Sequence, residues 1–226
     1  MSTIEKNDFV QIEYTGRLKE TNQVFDTTSK EVAEKESIYN PNITYGSIII
    51  CVGQHQVLPG IDHALIGKKE NDNFAVELIP EMAFGKKDSK LIRLVPAHIF
   101  RKPRIMPFVG LEVEIDRQRG IVRTVSGGRI LVDFNHPLAG KELKYEVKVH
   151  KKIVDKEQKL KSLLSITFGI KEPKVTFTND KAEVEMTLPA EISKMLAEKI
   201  VQLIPELKTI EFVSKKHEHK EHEKKQ

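Results

Sequence analysis

The stretch Val57-Leu-Pro-Gly-Ile-Asp-His-Ala-Leu-Ile-Gly67 decides how the first half of the chain folds. Pro59-Gly60 breaks an extended run, and Pro suits a first helical position. Ile61, Ala64 and Leu65 then share one helical face until Gly67 stops it. This is the single clear helix expected before residue 150. What surrounds it reads as strands. Phe9-Val-Gln-Ile-Glu-Tyr14 alternates polar and apolar residues, Thr15-Gly16 bends it, and Arg17-Leu18 continues it. Val24-Phe25-Asp26 is a second short strand, Ile48 to Val52 an apolar strand closed by Gly53, and Asn73 to Ile79 an alternating one closed by Pro80. Residues 29–46, polar and carrying Asn40-Pro41-Asn42, are expected to be an exposed loop.

Beyond Gly85 the texture changes. Leu91 to Val95, Leu111 to Ile115, Gly120 to Val125 and Arg129 to Phe134 read as four strands joined by Pro-rich or Gly-rich connections, which predicts a small all-β module. Leu143-Lys-Tyr-Glu-Val-Lys-Val149 alternates cleanly and matches the strands of the first module, so the all-β module reads as an insertion within it. After Asp155 the order is helix, strand, strand, helix, strand. The first helix carries Leu160, Leu163 and Leu164; the strands Val175–Phe177 and Ala182–Leu188 flank Asn179-Asp180. The second helix presents Ile192, Leu196, Ile200 and Leu203 between Pro189 and Pro205, and a last strand carries Ile210 and Phe212. The fold class is therefore α+β throughout. The charged stretch Lys148 to Lys161 reads as an exposed connection, and a domain of about 60 residues is marginal alone. The apolar residues left over on its helix and strand, including Met195, Ile204, Val184, Met186 and Leu188, predict a homodimer through residues 155–213 rather than docking onto the first module.

Of 226 residues, 39% are apolar, enough to support cores. Lys and Arg (37) nearly balance Asp and Glu (33), and a net charge of +4 is too weak and dispersed for a nucleic-acid partner. The lone Cys51 sits among Ile48, Ile49, Ile50 and Val52, which reads as a buried strand thiol in a reducing compartment. No window approaches the ~18 apolar residues of a membrane span, so no membrane partner and a cytoplasmic location are expected.

Three spaced segments together resemble the FKBP family of peptidyl-prolyl cis/trans isomerases: Tyr14-Thr15-Gly16 followed by Val24-Phe25-Asp26, then Val57-Leu58-Pro59-Gly60-Ile61 with Ala64-Leu65-Gly67, then Pro80-Glu81-Met82-Ala83-Phe84-Gly85. Leu91-Ile-Arg-Leu-Val-Pro-Ala-His-Ile-Phe100 and Val132-Asp-Phe-Asn-His-Pro-Leu-Ala-Gly140 further resemble the long SlyD-like subgroup, in which an "insert-in-flap" domain interrupts the isomerase domain. The resemblance covers residues 4–152. It implies an FKBP-type antiparallel β-sheet wrapped on a short helix (residues 1–85 and 138–152) and an inserted all-β chaperone domain (86–137); beyond about residue 155 it stops, and the residue pattern alone gives a further α/β domain (155–213) and a charged tail (214–226).

By the same resemblance the catalytic set is Tyr14, Phe25, Asp26, Leu58, Phe84 and Tyr145, with Ile48, Val57, Ile61 and Leu138 completing an apolar cup. The Leu58 N–H is expected to hold a substrate carbonyl, and Asp26, tied to the Tyr14 hydroxyl, to form the polar end. No cofactor or metal is implied. Rotation about an X–Pro bond needs no acid, base or nucleophile, because the barrier of ~20 kcal/mol arises from conjugation. An apolar concave site that grips the twisted imide lowers it by desolvation and differential binding. Two positions depart from short FKBPs: Ile61 stands where Trp is usual, and Phe84 where many have Tyr. Both remove grip, which predicts weaker macrolide binding.

Without the resemblance, Tyr14, Phe25, Val57 and Phe84 read equally as barrel core, and Asp26, before Thr27-Thr28, as a turn residue. Ile92, Leu94, Phe100 and Phe108, with Ile99, Ile105, Met106 and Val109, exceed what four short strands bury on one face, so they are expected to bind unfolded chains or else to bury one another. The tail His217-Glu-His219-Lys-Glu-His222 has imidazoles but reads as a solvated charge run, without a metal. The expected function is a folding helper isomerising X–Pro bonds in unfolded or proline-containing clients. The alternative is a holdase with little isomerase activity.

Overall fold

The computed structural model describes residues 3–101 and 106–214. In chain order it has β1 (Phe9–Leu18), β2 (Val24–Thr27), α1 (Lys30–Lys35), β3 (Ile48–Cys51), α2 (Pro59–Leu65) and β4 (Asn73–Leu78). Then come β5 (Ile92–Pro96), the single turn α3 (His98–Arg101), β6 (Glu112–Ile115), β7 (Gln118–Ser126), β8 (Arg129–Asp133) and the returning β9 (Leu143–Lys152). α4 (Lys156–Phe168), β10 (Val175–Thr178), β11 (Lys181–Glu185), α5 (Ala190–Leu203) and β12 (Thr209–Val213) follow.

The first sheet runs β2-β1-β9-β4, all antiparallel, and β3 pairs the opposite half of β1 from β2. A bulge between Gly16 and Arg17 accompanies the bend expected at Thr15-Gly16. On β9 the residues Leu143, Tyr145, Val147 and Val149 are buried at every second position, the pattern of a strand with one covered face. Ile61 and Leu65 of α2 provide that cover. The helix seats so closely that a Cβ on Gly60 would lie 2.2 Å from Leu78 Cδ2, which is why Pro59-Gly60 must open it.

Residues 29–46 are not wholly loop. Ser29 caps α1 by accepting from the Val32 N–H, Glu31 and Lys35 suit its dipole, and Ala33 is buried beneath it. The turn-forming Asn40-Pro41-Asn42 outweighs this cap when the segment is read from sequence.

The insert is a four-stranded antiparallel sheet, β5-β8-β7-β6, around Val95, Phe100, Val113, Val122, Ile130 and Val132. Its two connections to the first sheet are tied together: Gly140 N–H donates to Gly85 O at 2.8 Å, Phe134 N–H to Leu91 O at 2.9 Å, and Asn135 Nδ2 to Asp88 O at 3.0 Å. Asp133 lies in this neck, almost fully buried, accepting from Lys87 Nζ at 2.7 Å and the Asn135 N–H at 3.0 Å, with Arg123 Nη2 at 3.3 Å.

In the C-terminal unit β10-β11 is an antiparallel hairpin turning at Asn179 in the left-handed region, and β12 joins β11 in parallel after α5. Its core does not close on itself. Leu160, Leu163 and Leu164 of α4 and Ile200, Leu203, Ile204 and Leu207 share one cluster with Phe9, Cys51 and Ile153 of the first sheet. The expected exposed connection and the expected lack of docking onto the first module are thus corrected: Ile153 is buried, its N–H donates to Phe9 O at 2.7 Å, α4 packs on β3, and Val184 and Ile204, expected to be left over, are buried. Among residues 148–161 the charges are interspersed with Val149, Ile153 and Leu160, which are buried, while Val154 is exposed. Ile192 and Met195 of α5 remain exposed. Among the described residues no helix is long and apolar enough to cross a membrane. The residues His217 to His222 lie outside those described.

Candidate functional site

The side chains expected to form the prolyl cup gather in one apolar cluster on the first sheet, with Ile61, 1% exposed, and Tyr145 buried within it. Tyr14, Phe25, Ile48, Val57, Leu58 and Phe84, all half-buried, pack on the same cluster. The rings meet edge to face: Tyr14 and Tyr145 at 5.7 Å, Phe25 and Tyr145 at 5.8 Å, Phe25 and Phe84 at 6.3 Å between centroids. This requires Gly16, because a Cβ there would lie 2.7 Å from Tyr145 Cζ and 3.0 Å from Phe25 Cζ.

Asp26 is on β2, not in a turn. Burial lifts its carboxyl above the usual carboxylate range, opposed by hydrogen bonds from the Tyr14 hydroxyl and the Thr27 backbone. Burial, and then the Asp26 charge, hold the Tyr14 and Tyr145 phenols well above their ordinary value, so both stay protonated. The strand is pinned beside Tyr14 by Thr28: its Oγ1 accepts from the Tyr14 N–H at 2.9 Å and its N–H donates to Tyr14 O at 3.0 Å.

Val57 and Leu58 come from the loop leading into α2. Leu58 O accepts from the Ile61 and Asp62 N–H groups at 2.9 and 3.0 Å, starting the helix. Asp62, buried, bridges back to the same loop, accepting from the Gly53 N–H at 2.8 Å and the His55 N–H at 3.2 Å. That positioning role is not among the sequence expectations, although a carboxylate in the first turn of a short helix beside a Gly-bearing loop is a readable sign. Another unexpected member is His136, whose ring stacks on Phe84 at 4.5 Å with 5° between planes. Leu138, expected in the cup, is half-buried in the same return segment but is not among the side chains packed on the cluster. Its N–H donates to His136 Nδ1 at 3.1 Å.

The expected client-binding residues of the insert divide. Leu94 and Phe108 are exposed, beside Met106 at 87% and Val109, while Ile92 is half-buried. Phe100 is corrected: at 3% exposure it fills the insert core, where a β-module this small needs its one large ring. Ile105 lies outside the described residues. Cys51 is buried as expected, its thiol pushed up to about 12 by burial, with Asp62 and Asp8 adding to the shift.

The family model described as FKBP-type peptidyl-prolyl cis-trans isomerase matches residues 1–98, and a short-type peptidyl-prolyl cis-trans isomerase of Methanocaldococcus jannaschii is 32% identical over 149 residues, 66% of this chain and 94% of that one. The chain belongs to the FKBP-type peptidyl-prolyl cis-trans isomerase family. A further model, described as the IF domain of FKBP26, matches residues 93–138 of this FKBP, which spans β6, β7 and β8 and most of β5. The SlyD-named FKBP-type isomerase of Treponema pallidum is 31% identical over 144 residues, 62% of this chain and 73% of its own. Among solved structures, the N-terminal domain of FKBP42 from Arabidopsis thaliana aligns over 68% of this chain and 78% of its own at 15% identity, with a TM-score of 0.35.

Proposed function

We propose that this FKBP isomerises X–Pro bonds in unfolded or partly folded protein chains, with residues 1–85 and 138–152 as the isomerase domain and 86–137 as a client-holding insert. The observation that carries this reading is the cup itself: Tyr14, Phe25, Phe84 and Tyr145 gathered over Ile61 with the Asp26 carboxylate at one end. A prolyl ring on Ile61 leaves water, and the dipolar resonance form of its amide loses solvation there, which favours the twisted state. Among the described residues the Leu58 N–H has no acceptor and is free to take a substrate carbonyl. Tyr14, kept protonated, donates toward Asp26 and fixes the polar end without moving a proton. Phe84 has no hydroxyl to offer, which supports weak macrolide binding.

The exposed Leu94, Met106 and Phe108 favour a holding role for the insert. They also favour the alternative of a holdase whose cup turns over slowly. A protease-coupled assay on an X–Pro tetrapeptide, beside refolding of a proline-limited protein, separates the two. The isomerase accelerates both, the holdase neither. Residues 155–213 are a C-terminal unit that shares its core with the first sheet, and the exposed Ile192 and Met195 on α5 support its role as a homodimer contact. Light scattering of the full chain tests that directly.

A further inference from the structure

β3 lies at an open edge. Val10 and Ile12 pair with Ile50 and Ile48, so the alternation of an antiparallel ladder turns the backbone of Ile49 and Cys51 outward. Cys51 is already satisfied there, its N–H donating to Gln56 Oε1 at 2.6 Å, and no such cap reaches Ile49 among the described residues. Two adjoining cavities of about 570 and 760 Å³ run along this edge, sharing Ile49, Ser162 and Ser165. One end is walled by Tyr45 and Ile48, the other by Val175 on β10, which is itself an edge strand. Ile48 also packs on the cluster assigned to the prolyl site, so the groove adjoins that site at this residue.

We propose that this groove binds an extended segment of the same client whose prolyl bond occupies the cup, adding it as a strand to the open edge of β3. The proposal rests on that assignment of the cup. An exposed strand edge is a template for another extended chain, whose main-chain groups supply affinity whatever its sequence. The lining mixes Ser162, Ser165 and Thr176 with Ile49 and Val175, and it carries both signs of charge: Lys171 and Glu172 line both cavities, and Lys161 and Lys174 pair with Glu157 at 2.5 Å and Glu185 at 3.7 Å, which suits a varied segment without a fixed charge.

The test uses the full chain, a tetrapeptide, and a longer peptide with the same X–Pro core flanked by Val, Thr and Ser. Hydrogen exchange at the Ile49 N–H slows with the longer peptide and not with the tetrapeptide. Ser165→Trp, which fills the groove from α4, weakens the longer peptide about ten-fold, or ~1.4 kcal/mol, and leaves tetrapeptide isomerisation unchanged. Ile49→Pro removes the outward donor at an edge position that tolerates proline and gives the same result if the first variant folds poorly. Unchanged Ile49 exchange with the longer peptide bound overturns the proposal. Slowing that follows protein concentration without peptide also overturns it, assigning the edge to a second copy. An inactive tetrapeptide with Ile49 still slowed by the longer one supports strand addition and removes the cup instead.

Discussion

In the cup, Phe25, Phe84 and Tyr145 meet edge to face over Ile61, whereas in the insert Met106, Phe108 and Val109 stand in solvent around a core of six mostly aliphatic residues. Similar side chains do opposite things because of their frames. The cup rests on a five-stranded sheet with a helix behind it, so its rings are held in one arrangement. Among its described residues the insert has four strands and two short helical turns, too few to cover its own apolar residues. Under the proposed assignment, side chains held in one arrangement can distinguish a twisted amide from a planar one, whereas an exposed patch can only retain a chain.

The strongest attack on this contrast is Gly16→Val. Its side chain enters the space of Tyr145 and Phe25, and a displacement of about 1 Å costs on the order of a hundred-fold in rate. Tetrapeptide isomerisation should fall at least that far while binding of an unfolded client persists; loss of both would mean that the two regions are not independent. Asp26→Ala should reduce tetrapeptide isomerisation by about ten- to a hundred-fold, near the low end for removing a preorganised polar group, with native circular dichroism and intact client binding. Replacing Met106, Phe108 and Val109 by serine should weaken client binding about ten-fold, with stability held within ~0.5 kcal/mol as for exposed positions. Urea unfolding combined with a client-binding titration reads both.

The smallest effects distinguish the carboxylates of Asp133 and Asp26. Asp133 is almost fully buried, which alone would raise its pKa, but Lys87 and Asn135 hold it well below the usual range. A depressed carboxyl stabilises the fold above its unfolded pKa, and that stability is lost as pH falls. Asp133→Asn should therefore cost about 1–3 kcal/mol at neutral pH and progressively less in acid. Asp26 is shifted the other way, so its favourable contribution is present in acid and lost as pH rises. Asp26→Asn should gain on the wild type as pH rises from 4 to 8. Urea midpoints should show Asp133→Asn approaching the wild type as pH falls below the ordinary carboxylate value, and Asp26→Asn gaining on it as pH rises above that value; a curve parallel to the wild type for Asp26→Asn would put Asp26 in water.

Much of this is legible because it repeats at short range. The alternation in Leu143–Val149 marks the central strand and its return to the first sheet, and Pro59-Gly60 opens α2 where expected. Tyr14, Phe25, Ile48, Val57, Leu58, Ile61, Phe84 and Tyr145 can be named through family likeness, and the fold brings them into one cluster. What stays hidden depends on partners far along the chain. Phe100 reads as surplus apolar surface because nothing local shows that the insert closes on it. His136 acts through Phe84, a ring that sequence spacing does not bring near. The charges after Lys148 mask Ile153 and Leu160, whose shared core with Phe9 joins the start of β1 to the chain beyond β9.

The central position of β9 also governs when the molecule can assemble on a ribosome. Val10 pairs with Lys152 and Leu78 with Leu143, so until β9 has left the exit tunnel β1 and β4 have no strand between them. The insert needs only the chain from Ile92 to Asp133 and can close while the rest is still being synthesised. During translation the exposed apolar residues of the insert are thus displayed before the cluster around Tyr145 is complete, and under the proposed assignment the holding surface precedes the prolyl site.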